Sequence, residues 1–228
     1  MNVKVLLLSS LVAAGLCLPG TVGCGQPGTP QSASPKTEIA LPAPKTEGEM
    51  SLEETLAKRR SIRQYQAQDL TLEQLGQLAW AAQGITNERG FRTAPSAGAT
   101  YPLELYLLTK DGVFRYLPAG HKLQQFSDQN LRRELAAAAL EQEWVRFAPL
   151  DIVITAVYER TRRRYRDRAE RYVILEAGHA AENILLQAVA LGLASVPVGA
   201  FSDEDVSKLL GLSPEEAPLY IIPVGVPE

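Results

Sequence analysis

From Ala177 to Gly192 the chain is dominated by Ala, Leu, Ile and Val. This run is the second half of a helical pattern that starts near Arg162 and ends at Leu191. A helix that is apolar all round offers no face to water, so it belongs at the centre of a domain or between subunits. The other elements must be laid around it. A core helix and a subunit-interface helix both satisfy the pattern.

The remaining segments read as follows. Leu52 and Leu56 mark one face of a short helix. Thr71-Leu72-Glu73-Gln74 has the form of a capping box, and Leu72, Leu75, Ala79 and Ala82 recur at helical spacing up to Gly84. Leu103–Thr109 reads as a strand, Asp111-Gly112 as a tight turn and Val113–Leu117 as the hairpin partner. Asp128–Glu143 is helical, and Asp151–Tyr158 is a β-rich apolar run. Ser195–Ala200 is a short strand, Asp203–Leu210 a helix closed by Gly211, and Leu219–Val226 a last strand. Strands and helices interleave irregularly around one hairpin, which predicts an α+β fold with a mixed sheet. There is no internal repeat.

The first 50 of the 228 residues stand apart. Lys4 precedes an apolar run from Val5 to Leu18, too short to span a bilayer comfortably but suited to a signal peptide. Thr21-Val22-Gly23-Cys24 resembles the lipobox of bacterial lipoproteins, so residues 1–24 are expected to be a signal peptide with Cys24 as the lipidated residue. A plain secretory signal cut near the same place is the alternative. Residues 25–50, rich in Pro, Gly, Ser, Thr and Gln, bury too little surface to fold and read as a flexible tether. The expected arrangement is an exported protein held to a membrane by its lipid alone, on the periplasmic side or the cell surface of a bacterium. The folded domain is expected over residues 51–228.

Cys17 and Cys24 are the only cysteines, so the domain has no disulfide, thiolate metal site or cysteine nucleophile. His121 and His179 have no second His or Cys at ligand spacing, so no metal is expected. His121 reads as an exposed loop residue and His179 as a core histidine. A net charge of -3 does not suggest nucleic acid as a partner. Between Arg160 and Arg171, however, seven arginines fall in twelve residues. They fit a solvated helix face with i,i+3 and i,i+4 partners, or a patch facing substrate or anionic lipid.

Three segments carry the chemistry. Arg59-Arg60-Ser61-Ile62-Arg63 offers guanidinium donors and a hydroxyl, a set that can hold a phosphate, though such a cluster also suits a solvated face. Pro95-Ser96-Ala97-Gly98 lies in a run of small residues that leads into a strand and permits close backbone approach to a flat ligand. Pro197-Val198-Gly199-Ala200 follows the apolar helix, and its small residues can leave backbone N–H groups open. Each alone is also an ordinary connection.

In this order and spacing the three segments resemble the FMN-dependent nitroreductase superfamily, over about Ser51 to Val226. Gly178-His179-Ala180-Ala181-Glu182-Asn183 and Ile222-Pro223-Val224-Gly225 resemble its SagB-type branch, which includes dehydrogenases that oxidise thiazolines and oxazolines. The resemblance implies a largely antiparallel sheet surrounded by helices, with the long helix buried at the centre. It implies FMN as cofactor and a homodimer with sites at the interface. Arg59, Ser61 and Arg63, with Arg60 beside them, would hold the FMN phosphate and ribityl chain. Pro95, Ser96, Ala97 and Gly98 would cover the flavin from the partner subunit. Pro197, Val198, Gly199 and Ala200 would lie along the isoalloxazine, with the N–H near Gly199 bonded to nitrogen 5.

The implied activity is hydride transfer between the flavin and a small organic or peptide-like substrate, with NAD(P)H or another electron donor. A flavin-binding carrier or interaction module with little catalysis is the alternative. Family members also carry basic residues near the C-terminus, whereas this sequence ends Pro227-Glu228, so the phosphate is expected to lean on Arg59 and Arg63. The azoline-oxidising members share a Lys-Tyr pair before the buried helix. Here Arg164-Tyr165 stands in that place, and arginine keeps its proton at neutral pH. Tyr165 is left as the candidate catalytic side chain.

Overall fold

A computed structural model describes residues 37–228. The expected signal peptide, Cys24 and the first part of the expected tether lie outside the described residues. In chain order the elements are β1 (Glu38–Ala40), α1 (Leu52–Lys58), α2 (Leu72–Gln83), β2 (Leu103–Thr109), β3 (Gly112–Leu117), β4 (Lys122–Ser127), α3 (Arg132–Ala138) and α4 (Glu143–Arg146). They continue with β5 (Leu150–Val157), α5 (Tyr158–Tyr165), α6 (Ala169–Ala190), β6 (Ala194–Ser195), α7 (Asp203–Leu209) and β7 (Glu216–Gly225).

The seven strands form one sheet in the order β1-β4-β3-β2-β5-β7-β6, and every neighbouring pair is antiparallel. Among the described residues the only parallel pairing is an isolated bridge between Ser61 and Ser195. The sheet is thus largely antiparallel, as the resemblance implies, and the α+β class holds.

The β2–β5 pair is the centre of the molecule. Leu103, Leu105 and Leu107 join Ile152, Ile154, α2 and α6 in one apolar core, while Tyr106, Leu108 and Val153 join α3 and α7 in a second on the other face. Strands covered on both faces need apolar residues at every position, which is why they read as continuous runs instead of alternating ones. Each Leu or Ile at these positions contributes roughly 1.5–3 kcal/mol on burial, well above the median surface ion pair.

Four differences from the sequence reading bear on the site. Glu38–Ala40 pairs with β4, Leu41 is buried, and the Lys45 N–H and C=O both bond Gln77, so residues 38–45, expected within the tether, lie against the domain. Ile39 and Leu41 are the few apolar residues that achieve this, together with the unpaired edge of β4.

The expected helix from Asp128 to Glu143 breaks at Leu140 and Glu141, both with φ of 58°. The break sends the Gln142 side chain to the carbonyls of Ala139 and Ala200, each at 2.8 Å. The expected strand from Ser195 to Ala200 pairs regularly only at Ala194 and Ser195, because Pro197 has no N–H to give; Val198 rejoins β7 through Ile221.

The helix expected from Arg162 to Leu191 is two helices joined through a 3-10 turn at Arg166–Arg168, where Arg166 has φ 48°. The second, α6, buries Val173, Glu176, Ala177, Ala180, Ala181, Ile184, Leu185 and Ala188 at i, i+3 and i+4 spacing. Its other face leaves Ile174 and Leu175 half exposed, and His179 is exposed. In a single chain the helix is therefore covered on one side only, and His179 is not a core residue. His121 reverses too: its Nδ1 lies 2.9 Å from the Tyr116 hydroxyl and its Nε2 is buried.

Candidate functional site

Arg59–Arg63 begins where α1 ends. Ser51 caps the helix by accepting the Glu54 N–H, and the Arg59 N–H closes it on the Thr55 carbonyl. The chain then extends across the edge of the sheet. The Ile62 N–H donates to the Ser195 carbonyl at 3.1 Å, and Tyr65, buried behind it, donates its hydroxyl to the Ile62 carbonyl at 3.0 Å. Burial, with Asp151 nearby, pushes the Tyr65 phenol well above its ordinary range, so it stays a donor at any ordinary pH.

These contacts hold the backbone of the segment and leave Ser61 and Arg63 exposed. The Arg63 guanidinium stacks over Trp144 with its carbon 5.2 Å from the ring centre, an arrangement that fixes its direction while its N–H edges stay available. Arg59 is half-buried. Arg60 is turned back, donating to the carbonyls of Ala57 and Arg59 at 3.1 and 2.6 Å. It caps its own helix, so Arg59, Ser61 and Arg63 are the better-placed phosphate donors.

Pro197–Ala200 joins the same surface. The Ser61–Ser195 bridge sets the two segments side by side. Val198 is buried and exchanges both backbone bonds with Ile221, at 2.8 and 3.0 Å. Gly199 and Ala200 then emerge, exposed. Gln142 holds the Ala200 carbonyl, and among the described residues the Gly199 N–H has no protein partner. A rigidly held N–H without a partner at an exposed turn suits an acceptor on a ligand.

Pro95–Gly98 lies elsewhere. It ends in a 3-10 turn, Ala97–Ala99, in which Gly98, Ala99 and then Tyr101 take left-handed φ of 60°, 53° and 45°. Ser96 Oγ accepts the Tyr101 N–H at 2.9 Å. The α5 helix grips this turn: Thr161 bonds Thr100, Arg160 donates to the Tyr101 carbonyl, and Arg164 donates to the Gly98 carbonyl. Tyr165 packs so closely that a Cβ added at Gly98 would fall 2.7 Å from its hydroxyl. Tyr165 also meets Tyr172 edge-on at 5.0 Å. The arginine-rich stretch thus splits: Arg160 and Arg164 hold the loop, while Arg162 and Arg163 are exposed beside Glu159.

The structure therefore brings the first and third segments together and leaves the second apart. Val224 pairs with both Ser195 and Leu150, whereas Leu103, just past the second segment, pairs with Ala156. Along β5, Ser195 lies level with Leu150 and Val198 with Val153, six and three residues from Ala156, or about 20 and 10 Å at the rise of a strand. No hydrogen bond among the described residues joins Pro95–Gly98 to either of the other two. A cleft of about 780 Å³ between Lys45–Met50, α2 and the end of α6 is lined by none of the three.

Two carboxyls went unremarked in the sequence. Asp151 is fully buried on β5 with both oxygens unpartnered, and burial holds it far above the ordinary carboxylate range, with Arg132 opposing. Glu176 is buried on α6, and burial pushes it up to about 7, with Ser96 and Arg92 pulling the other way. An acid inside an apolar run was the available signal in each case.

Comparison with known proteins bears on the family. The nitroreductase family model matches residues 56–226. MJ1384 of Methanocaldococcus jannaschii, which carries a nitroreductase name, is 47% identical over 183 residues, covering 78% of this chain and 91% of its own. The microcin B17-processing protein McbC of Escherichia coli is 28% identical over 144 residues; the match takes in 57% of this chain but only 52% of McbC. Among solved structures, a nitroreductase-named protein of Ralstonia eutropha superposes with a TM-score of 0.76 at 31% identity, covering 84% of this chain and 90% of that one. The NADPH:FMN oxidoreductase of Vibrio harveyi, solved with NAD+, superposes with a TM-score of 0.60 at 25% identity, covering 78% and 69%. Fold, family model and relatives coincide over the same residues: the chain belongs to the nitroreductase family.

Proposed function

We propose that this chain is an FMN-dependent oxidoreductase, working as a homodimer and moving hydride between the flavin and a small organic or peptide-like substrate. The observation that carries the reading is the Ser61–Ser195 junction, which sets the arginine cluster beside an open Gly199 N–H. The residues fit the cofactor. Arg59, Ser61 and Arg63 supply charged and neutral donors for a phosphate of nearly two negative charges. The Gly199 and Ala200 backbone is exposed for contact with a flat ring system. FMN, when bound, supplies the hydride chemistry, and the protein supplies binding, orientation and electrostatics.

On this reading the chain's own residues divide the work. Arg63, stacked on Trp144, would hold the phosphate end, and Gly199 N–H would orient the redox end as a fixed donor. Pro95–Gly98 of a second copy would cover the ring, as the family resemblance implies; among the described residues no hydrogen bond joins the loop of the same chain to the other two segments. The half-exposed Ile174 and Leu175 face of α6 fits burial against that copy. Tyr165, against Gly98, would stand at the substrate side.

The match to McbC and the motifs on α6 and β7 favour a SagB-type member. Arg164 in place of lysine argues for a substrate other than a peptide azoline. We place the protein outside the cytoplasm as a lipoprotein anchored through Cys24, on the lipobox alone. NAD(P)H is scarce there, so another reductant, or oxidation of the organic partner, is the better expectation. Purified full-length protein should be yellow or take up added FMN, and a hydride donor should bleach it without oxygen. A colourless protein that ignores FMN overturns the reading. Tight FMN binding with no turnover of any donor or acceptor favours a flavin carrier instead.

A further inference from the structure

Glu176 lies on the buried stripe of α6, 2% exposed, and its Oε1 is enclosed without a hydrogen-bond partner. Buried polar atoms are nearly always paired, so this one calls for a reason. Its neighbours come from the segment that leads into β2: the Ser96 hydroxyl and the Arg92 guanidinium. Both are engaged on their other sides. Ser96 Oγ accepts the Tyr101 N–H, while Arg92 stacks 4.5 Å over the Tyr101 ring and donates to Gln83 at 2.7 Å. Glu104 on β2 and Arg160 on α5 face Arg92 in turn. The loop so held has three left-handed residues in four, Gly98, Ala99 and Tyr101, a conformation that persists only while its surroundings enforce it.

We propose that Glu176 is the positioning residue of the Pro95–Gly98 loop: its carboxyl, wedged behind Ser96 and beside Arg92, holds the loop in shape while uncharged and releases it when ionised. The proposal rests on the reading that this loop covers the flavin. Ser96 and Arg92 favour the ionised form, but burial outweighs them: an ionised Glu176 would carry a buried charge with Oε1 unpaired, beside an Arg92 already shared with Tyr101 and Gln83. Burial places the ionisation near 7, far above an ordinary glutamate. The sign follows: the raised folded-state value means that the contribution to stability is full below the ordinary glutamate range. It declines as pH rises and is lost through about 7. The loop should therefore loosen on the alkaline side, and the grip on flavin should weaken with it.

Hydrogen exchange on full-length protein, corrected for intrinsic rates, reads the loop directly over residues 92–103. From about pH 6 to about 8.5, wild-type protection should fall roughly ten-fold more than in Glu176→Gln, which mimics the uncharged acid. FMN affinity should follow the same pattern, and titrations of FMN itself cancel in the comparison. Glu176→Ala should be loose at both pH values, with Gln restoring what Ala loses. Parallel pH profiles for wild type and Glu176→Gln overturn the proposal. If Glu176→Gln does not fold, the wild type still decides: a loop whose protection stays flat across this range overturns it. A loop difference with no FMN binding in either protein supports the role of Glu176 and overturns the cofactor reading instead.

Discussion

At the scale of single residues, side chains far apart in the sequence share one small surface. Gln142 illustrates this. It bonds both Ala139 and Ala200, so it ties the break after α3 to the turn that exposes Gly199. Gln142→Ala should weaken FMN binding about five- to ten-fold, the worth of one net hydrogen bond plus a loosened turn, with little change in melting temperature. An unchanged dissociation constant would detach Gln142 from the site. Gly98 makes a sterically sharper case. Its φ of 60° and the Tyr165 hydroxyl, 2.7 Å from an added Cβ, leave no room for alanine. Gly98→Ala should displace Tyr165 or the loop and destabilise the chain by about 1–3 kcal/mol, checked by denaturant titration. The arginines were legible as phosphate donors from type and spacing. That Arg60 turns back onto Ala57 and Arg59 was not, because helix-end carbonyls compete for the same guanidinium.

At the scale of elements, the central strands and their partners were legible because apolar burial dictates them. The capping box at Thr71 forms as the sequence suggests, and β2 spans the expected residues. The edges were not legible. Both β1 and β4 are short and polar, and pairing with a neighbour supplies what their composition does not. The tight turn after β2 falls on Lys110 and Asp111, one residue earlier than expected, since Gly112 pairs with Thr109. Gly112 is needed there because a Cβ would lie 2.3 Å from the Ser127 carbonyl. The split between α5 and α6 was also hidden, since Arg166 breaks the helix without proline or glycine. Here Glu104 matters: it pairs with Arg115 at 2.9 Å and with Arg160 at 2.5 Å, joining β2 to β3 and α5. Glu104→Gln should leave two part-exposed arginines without their counter-charge and cost about 2 kcal/mol, discounted for screening. It should also loosen the Tyr101 loop; a wild-type melting temperature would speak against this clamp.

At the scale of the whole molecule, the proposed homodimer would make a second copy part of the site. Light scattering should give the mass of two chains, and FMN should bind at one per chain. Arg63→Ala damages the phosphate wall and Gly98→Ala the covering loop, so on this account they damage opposite halves of each shared site. Mixed dimers of the two variants should carry one intact site and recover, at that site, the wild-type FMN affinity that neither variant has alone. No recovery on verified subunit exchange would put both walls on one chain. The central claim is that Arg59–Arg63 is the phosphate end of an FMN site, and an equilibrium FMN titration of Arg63→Ala against wild type tests it most directly. The account predicts a dissociation constant raised about ten- to a hundred-fold, the worth of one charge-assisted phosphate contact, with the fold unchanged. An Arg63→Ala protein that binds FMN as tightly as wild type would contradict it.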